Sequence, residues 1–314
     1  AEGGIMTADD LAAYQAKDRE PVRARFGEYE VVSMPPPSAG GAVMLQMLRY
    51  TEMADKMGAF EEGPGSAKTV HALTHAMSLA FADRAKYFGD PDHVKVPLAE
   101  MLSDEYLKKR WETYKPGKAA IPSDAGPISS WKEGNQTTHF SVIDRHGNAV
   151  AITTTVNDNF GSGFVPPGTG VVMNNEMDDF SVQPGTPNLF GLVGAEANAV
   201  GPRKRPLSSM SPTIVRDSKG QNLISIGAQG GPRITTSVFL SIFNRLRFGM
   251  SLPDAVQAPR FHHQWKPADL MIERGMGLSS DTREKLKSMG YTLKDVATSG
   301  KLNAVERFPN GRTW

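Results

Sequence analysis

The sequence predicts a layered α+β fold, on three observations. Apolar residues recur at helical spacing over the first third of the chain. Short β-branched runs joined by tight turns follow, and further amphipathic helical segments come after them. Sheets bracketed by helices bury their faces by stacking in layers.

The elements follow in order. Thr7-Ala-Asp-Asp10 is a helix start, a hydroxyl cap with a carboxylate three residues on. Residues 29–33 form a short strand that Pro35-Pro36-Pro37 ends, and Ser38-Ala-Gly-Gly41 leads into an apolar helix carrying Met44, Leu45, Met47 and Leu48. A second helix over 68–87 puts Val70, Leu73, Met77 and Ala80 on one face. From 115 to 135 Pro, Gly, Ser and Lys dominate, the texture of an exposed, mobile linker. Strands over 138–143 and 149–156 meet at Asp144-Arg-His-Gly-Asn148, and strands over 213–216 and 223–226 meet at Asp217-Ser-Lys-Gly220. Residues 233–246 read as a helix with Ile234, Val238, Ile242 and Leu246 on one face. A helix over 280–289 and a strand over 291–296 close the series, and no internal repeat is found.

With 314 residues, 39% of them hydrophobic, there is material for one large domain or two packed lobes. The 35 basic and 34 acidic residues nearly cancel, so no net field points to nucleic acid or to a charged membrane. No apolar run approaches the ~20 residues needed to span a bilayer. The absence of cysteine excludes disulfides, thiolate zinc sites and cysteine nucleophiles. The chain opens at Ala1 without an initiator Met and reads as stopping in mid-strand at Trp314, so a fragment truncated at both ends is the expectation.

Thr137 stands after the linker, at the start of a strand. Hydroxyl residues are common there, and position alone favours a structural role. Its neighbourhood says more. Asn135-Gln-Thr-Thr-His-Phe-Ser-Val142 resembles the processing site of the gamma-glutamyltranspeptidase family (glutathione hydrolases), which are N-terminal-nucleophile hydrolases. The resemblance continues, in the family's order, through Met34-Pro-Pro-Pro-Ser-Ala-Gly-Gly41, Thr153-Thr-Thr-Val-Asn157 and Asn174-Asn-Glu-Met-Asp-Asp-Phe-Ser181. It extends over Gly201-Pro-Arg-Lys-Arg-Pro-Leu-Ser-Ser-Met-Ser-Pro212, Gly230-Gly231 and Ala258-Pro-Arg-Phe-His-His263.

The resemblance implies a four-layer αββα sandwich and a self-inflicted cut between Gln136 and Thr137. Residues 1–136 would then be the end of a large-subunit region and 137–314 the small, catalytic subunit, interwoven in one domain from one precursor. A hydroxyl needs a nearby base to become a nucleophile. The α-amine freed by the cut titrates near ~8 and supplies that base, so one residue carries both roles. By the same resemblance Thr155 orients the nucleophile, and Asn157, Glu176 and Asp179 receive the α-amino end of a γ-glutamyl group. Ser208 and Ser209 donate to its α-carboxylate, while Gly230 and Gly231 form the oxyanion hole, where the lack of a side chain lets amides approach closely. The segment Pro184-Gly-Thr-Pro-Asn-Leu-Phe-Gly191 resembles the family's lid loop. Many members carry Tyr where Phe190 stands, so a lid without that hydroxyl is expected to be looser and to favour hydrolysis over transfer.

The implied reaction takes glutathione or another γ-glutamyl compound and passes the acyl group to water, an amino acid or a dipeptide, with no cofactor and no metal. A periplasmic or secreted location is implied as well. The family's carboxylate-binding Arg lies upstream of the matched positions, so the 314-residue chain alone is expected to bind γ-glutamyl substrates poorly. Two rivals are an acylase of the same fold acting on β-lactam side chains or poly-γ-glutamate, and a catalytically inert chain of this fold. Other features read as structural. His71 and His75 have the spacing of a zinc pair but lack the intervening Glu. His262-His263 reads as packing or a loop anchor, Ser38–Gly41 as helix capping rather than an anion site, and the sequon at Asn135 would collide with the cut.

Overall fold

The computed structural model describes residues 5–120, 137–274, 277–308 and 310–314. In chain order the elements are α1 (Ala8–Ala13), β1 (Val22–Phe26), β2 (Tyr29–Ser33), α2 (Gly40–Lys56), α3 (Ala67–Tyr87), α4 (Leu98–Met101), α5 (Asp104–Trp111), β3 (Thr137–Ile143) and β4 (Ala149–Thr155). Then come β5 (Thr213–Arg216), β6 (Asn222–Gln229), α6 (Arg233–Arg247), α7 (Leu252–Gln257), β7 (Phe261–His262), β8 (Leu270–Glu273), α8 (Ser280–Ser288), β9 (Leu293–Val296) and β10 (Lys301–Glu306). The capping box at Thr7 forms as the sequence predicts, with Thr7 and Asp10 satisfying each other's backbone amides. Strands β1, β7, β8 and β10 and the short helices α4, α5 and α7 carry too little periodicity to be read from sequence. Residues 121–136, which hold most of the predicted linker and Gln136, lie outside the described part.

A five-stranded antiparallel sheet runs in the order β1-β2-β5-β6-β10. Its period-2 alternation sorts β6 into two faces. Ile224, Ile226 and Ala228 join the apolar cluster that holds Val43, Met47, Phe239 and Phe243 of α2 and α6. On the other face, Ser225 Oγ donates to the carbonyl of Val150 at 2.8 Å, and Gly227 lies flat against the ring of His139. The antiparallel hairpin β3–β4 therefore packs face to face on β6 and β10, tied further by Asn303 Nδ2, which donates to the His139 carbonyl at 2.8 Å. A Cβ on residue 227 would occupy the space of that imidazole, which explains glycine in mid-strand.

The described residues thus build helix, sheet and sheet of an αββα sandwich. The outer face of β3–β4 exposes Phe140, Val142, Val150 and Ile152, each at least 40% accessible. That face is where a four-layer sandwich carries its second helical layer. A smaller sheet, β7-β8-β9, with β9 parallel to β8, sits with α8 beside α3 and α6.

The histidines are structural anchors. His71 bonds the Tyr291 hydroxyl at 2.8 Å and the Lys115 carbonyl at 2.9 Å, which leaves neither ring nitrogen for a metal. His262 bridges Thr236 Oγ1 and Gln264 Oε1, both at 2.8 Å. Burial lowers His75 and His262 to about 3 and His263 to about 4. The folded state then binds fewer protons than the unfolded chain. The stability that follows is complete above the ordinary histidine pKa and is lost as pH falls from there toward about 3. Forcing one such site neutral at pH 5 removes about 2 kcal/mol. The urea midpoint is expected to drop steeply between pH 7 and pH 5, and an unchanged midpoint would refute this account.

Candidate active site

Register brings the two threonines together. Thr137 opens β3 directly opposite Thr155, the last residue of β4. Thr137 Oγ1 donates to Thr155 Oγ1 at 3.2 Å, and Thr155 Oγ1 also accepts from the Asn157 amide at 2.8 Å. Asn157 adopts φ 75°, a left-handed conformation that asparagine tolerates, and this turns its side chain back toward the Asn175 carbonyl at 3.2 Å. Thr137 and Asn157 are both buried.

A short 3-10 turn, Glu176–Asp179, presents the acidic residues. Burial raises both carboxyls. Asp179 stands well above the carboxylate range because the Glu176 charge adds to burial, with the Arg84 guanidinium opposing. Each carboxyl disfavours ionisation of the other, and the protonated form is favoured most at Asp179. Asn198 fixes this turn from below, donating to the Asp179 carbonyl at 2.7 Å while its Oδ1 accepts from the Leu207 amide at 3.2 Å.

The serine pair is set by α2. Ser38 and Ser208 form a parallel bridge, and the Ala39 amide donates to the Ser208 carbonyl at 2.9 Å. A Cβ on Gly40 would strike the carbonyls of Ser209 and Met210, so the glycines that sequence reading treats as a helix cap instead permit close approach. Helix α2 has no side-chain cap, and Ser38 Oγ donates to the Met210 carbonyl at 2.7 Å.

Strand β6 ends at Gln229, and Gly230 and Gly231, with φ of 133° and 56°, follow it before α6 begins. The positive end of the α6 dipole reinforces any anion held there. The Phe190 ring covers Gly231, a Cβ on which would meet Phe190 Cδ1 at 3.0 Å. The lid is pinned by Gln264 Nε2 on the Phe190 carbonyl at 3.1 Å and by Asn188 Nδ2 on Asp179 Oδ1 at 3.3 Å.

One narrow cavity is lined by Thr137, Thr155, Asn157, Asp179, Phe190, Ser208, Ser209 and Gly231, together with Leu192, Met210, Pro232 and Ile234. Of the residues expected from sequence, Glu176 stands against Asp179 and Gly230 precedes Gly231; neither is on the wall. Gln136 lies outside the described residues. Sequence reading missed Asn188, Asn198 and Gln264, loop amides without periodicity, and it missed Arg84. For Arg84 a signal existed: it continues the stripe of Val70, Leu73, Met77 and Ala80, a charge where an apolar residue is due.

The whole of the chain, residues 1–314, matches the family model described as Gamma-glutamyltranspeptidase. The chain belongs to the gamma-glutamyltranspeptidase family.

Within that family it is 43% identical over 314 residues to the glutathione hydrolase proenzyme of Escherichia coli (strain K12), covering 99% of this chain and 53% of that one. It is 45% identical over 305 residues to the glutathione hydrolase proenzyme of Pseudomonas sp. (strain A14), covering 97% and 52%. The chain thus spans about half the length of these curated relatives. Among solved structures, the gamma-glutamyltranspeptidase of Pseudomonas nitroreducens superposes with a TM-score of 0.54 at 44% identity, covering 56% of this chain and 92% of that one. Cephalosporin acylase from Bacillus halodurans superposes with a TM-score of 0.82 at 26% identity, covering 99% and 53%. These neighbours place the fold among the N-terminal-nucleophile hydrolases. Among the described residues no helix is long and apolar enough to cross a membrane.

Proposed function

We propose that the chain is the core of an autoprocessing γ-glutamyl hydrolase and transferase. The observation that carries this reading is the 3.2 Å bond between Thr137 and Thr155 at a cavity that also presents Asp179 and both serines. Asn157 and Asp179 there suit an ammonium and Ser208 and Ser209 a carboxylate, the two charges of a γ-glutamyl head group.

In the proposed reaction the cut before Thr137 frees its α-amine. That amine takes the proton from Oγ1 as Oγ1 attacks the γ-glutamyl carbonyl carbon. The oxyanion is held at Gly230 and Gly231. As the intermediate collapses, the C–N bond breaks and the ammonium returns its proton to the departing amine, leaving a γ-glutamyl ester on Thr137. Water, an amino acid or a dipeptide then attacks the ester and regenerates the hydroxyl. The scheme uses glutathione or a related γ-glutamyl amide as donor and requires no cofactor. The solved Pseudomonas nitroreducens chain covers 56% of this one, close to the fraction that lies from Thr137 onward, which supports two subunits from one precursor. Export to the periplasm or the medium is part of the same reading.

The test is mass spectrometry of the full-length protein with a γ-glutamyl anilide assay. A fragment starting at Thr137 should appear and turnover should track it; full turnover by an uncut chain would overturn the reading. The 26% identity to the cephalosporin acylase of Bacillus halodurans makes a β-lactam side-chain acylase the rival, and the same assay run with a cephalosporin whose acyl side chain lacks a carboxylate separates them.

The lid gives a second expectation. Phe190 is 5% exposed and its ring closes over Gly231, so apolar packing rather than a hydroxyl shuts the gate. Phe190→Tyr should add a hydrogen bond at the lid and raise the transfer-to-hydrolysis ratio by about threefold or more. An unchanged ratio sinks the proposal that the missing hydroxyl favours water.

A further inference from the structure

Arg84 is 4% exposed, beneath the site, and the reaction scheme above gives it no part. Its Nη2 donates to Ser209 Oγ at 3.4 Å, and its Nε is buried with no acceptor among the described residues. The adjacent carboxylate does not serve it: Asp83 is engaged by Arg110 at 2.9 Å and by Gln46 at 3.0 Å. Asp179 is the carboxyl whose charge reaches Arg84, and burial and the Glu176 charge both disfavour that carboxylate. A cation buried with so little compensation leaves positive potential for whatever enters next to it.

The two serines make the consequence specific. Ser208 Oγ accepts from the Met210 amide at 3.1 Å, just as Ser209 Oγ accepts from Arg84. Each hydroxyl has a lone pair filled from the protein side, which leaves its own proton to be donated into the cavity. The Ser209 backbone is held as well, its carbonyl accepting from Ser211 Oγ at 3.0 Å and Thr235 Oγ1 at 3.1 Å.

We propose that Arg84 is a positioning residue that fixes Ser209 as a hydrogen-bond donor and makes the site selective for acyl donors bearing an α-carboxylate. This rests on the γ-glutamyl reading above and deepens it. Arg84 does not line the cavity, so it acts through Ser209 and through the field behind it.

The test compares wild-type, Arg84→Gln and Arg84→Lys full-length enzymes on three anilides: γ-glutamyl, glutaryl (α-carboxylate kept, ammonium absent) and 4-aminobutyryl (ammonium kept, α-carboxylate absent). Arg84→Gln should raise KM for the first two by about 10- to 100-fold, with kcat within about threefold, and leave the 4-aminobutyryl KM within about twofold. Arg84→Lys, which keeps the charge but not the fork, should fall between. A loss equal on all three donors, or one confined to kcat, marks a structural role and overturns the proposal. If Arg84→Gln does not fold, as judged by thermal melting, the same donor pattern in Arg84→Lys decides. A wild type active on γ-glutamyl and glutaryl donors beside unchanged variants overturns this role alone. A wild type inactive on all three overturns the γ-glutamyl reading and this role together.

Discussion

Thr137→Ala is expected to leave a single uncut chain and to lower γ-glutamyl turnover by about 10⁴-fold or more, the scale on which loss of a nucleophile is felt. The reasoning is geometric. The Thr137 hydroxyl is buried at the mouth of β3, with its proton directed to Thr155, and the proposed base is the residue's own amine. Alanine removes the atom that, in the proposed scheme, makes both the cut and the ester. The methyl of alanine fits the space, so the fold should survive and the thermal midpoint should hardly move. Thr155→Ala should be milder, because it removes a hydrogen-bond partner and leaves the nucleophile in place. Electrophoresis and anilide hydrolysis on the two variants check this. Cleavage in Thr137→Ala at the wild-type rate would mean that another group makes the cut.

Asp179→Asn is expected to lower kcat/KM for γ-glutamyl donors by about 100- to 1,000-fold, mostly through KM, while the protein still processes. Burial and the neighbouring Glu176 charge both favour a protonated Asp179 over a second carboxylate. An arriving ammonium must displace that proton. Binding therefore releases a proton, and wild-type KM should fall as pH rises through the titration of the pair. Asparagine has no proton to release, so KM for the variant should be flat over that range. The sign for stability is opposite to that of an ordinary paired carboxylate. A carboxyl whose folded pKa is raised contributes stability at low pH, and this is lost as pH climbs from the usual carboxylate range toward the raised value. Asp179→Asn should therefore melt higher than wild type at neutral pH while being far less active. A variant that is both less stable and unchanged in pH profile would remove the Asp179 proton from the account.

Much of this site is legible before any coordinates are. The two strands and their turn are legible in 138–143 and 149–156, but the alternation alone would turn Phe140 and Val142 inward; the structure exposes that face and buries Thr137 opposite Thr155. The motif blocks name Asn157, Asp179, Ser208 and Ser209, and these line one cavity. What sequence does not carry is depth. Nothing local distinguishes Asp179, on the cavity wall, from Glu176, which stands behind it. Nothing in Ser38-Ala-Gly-Gly41 says that Gly40 must clear two carbonyls on a segment far along the chain. Asn198 and Gln264 act through single hydrogen bonds from loops, where no period exists to flag them. Arg84 was the exception: a charge on an apolar stripe is readable, though not what it touches.

The central sheet bears on what the proposed cut before Thr137 would do to the molecule. Strand β2, from before residue 137, is hydrogen-bonded to β5, from after it, with four residue pairs in register from Glu30↔Arg216 to Ser33↔Thr213. Severing the peptide bond elsewhere leaves that seam untouched, so the two pieces should travel as one particle under native conditions. Once unfolded, they no longer share a covalent tether. Reassembly then becomes a bimolecular encounter whose yield falls on dilution, whereas the intact chain first folds in a concentration-independent step. Under the proposed cut, maturation is therefore a one-way gate: the sheet is built while the halves are still leashed, and afterwards persistence depends on the barrier to opening it.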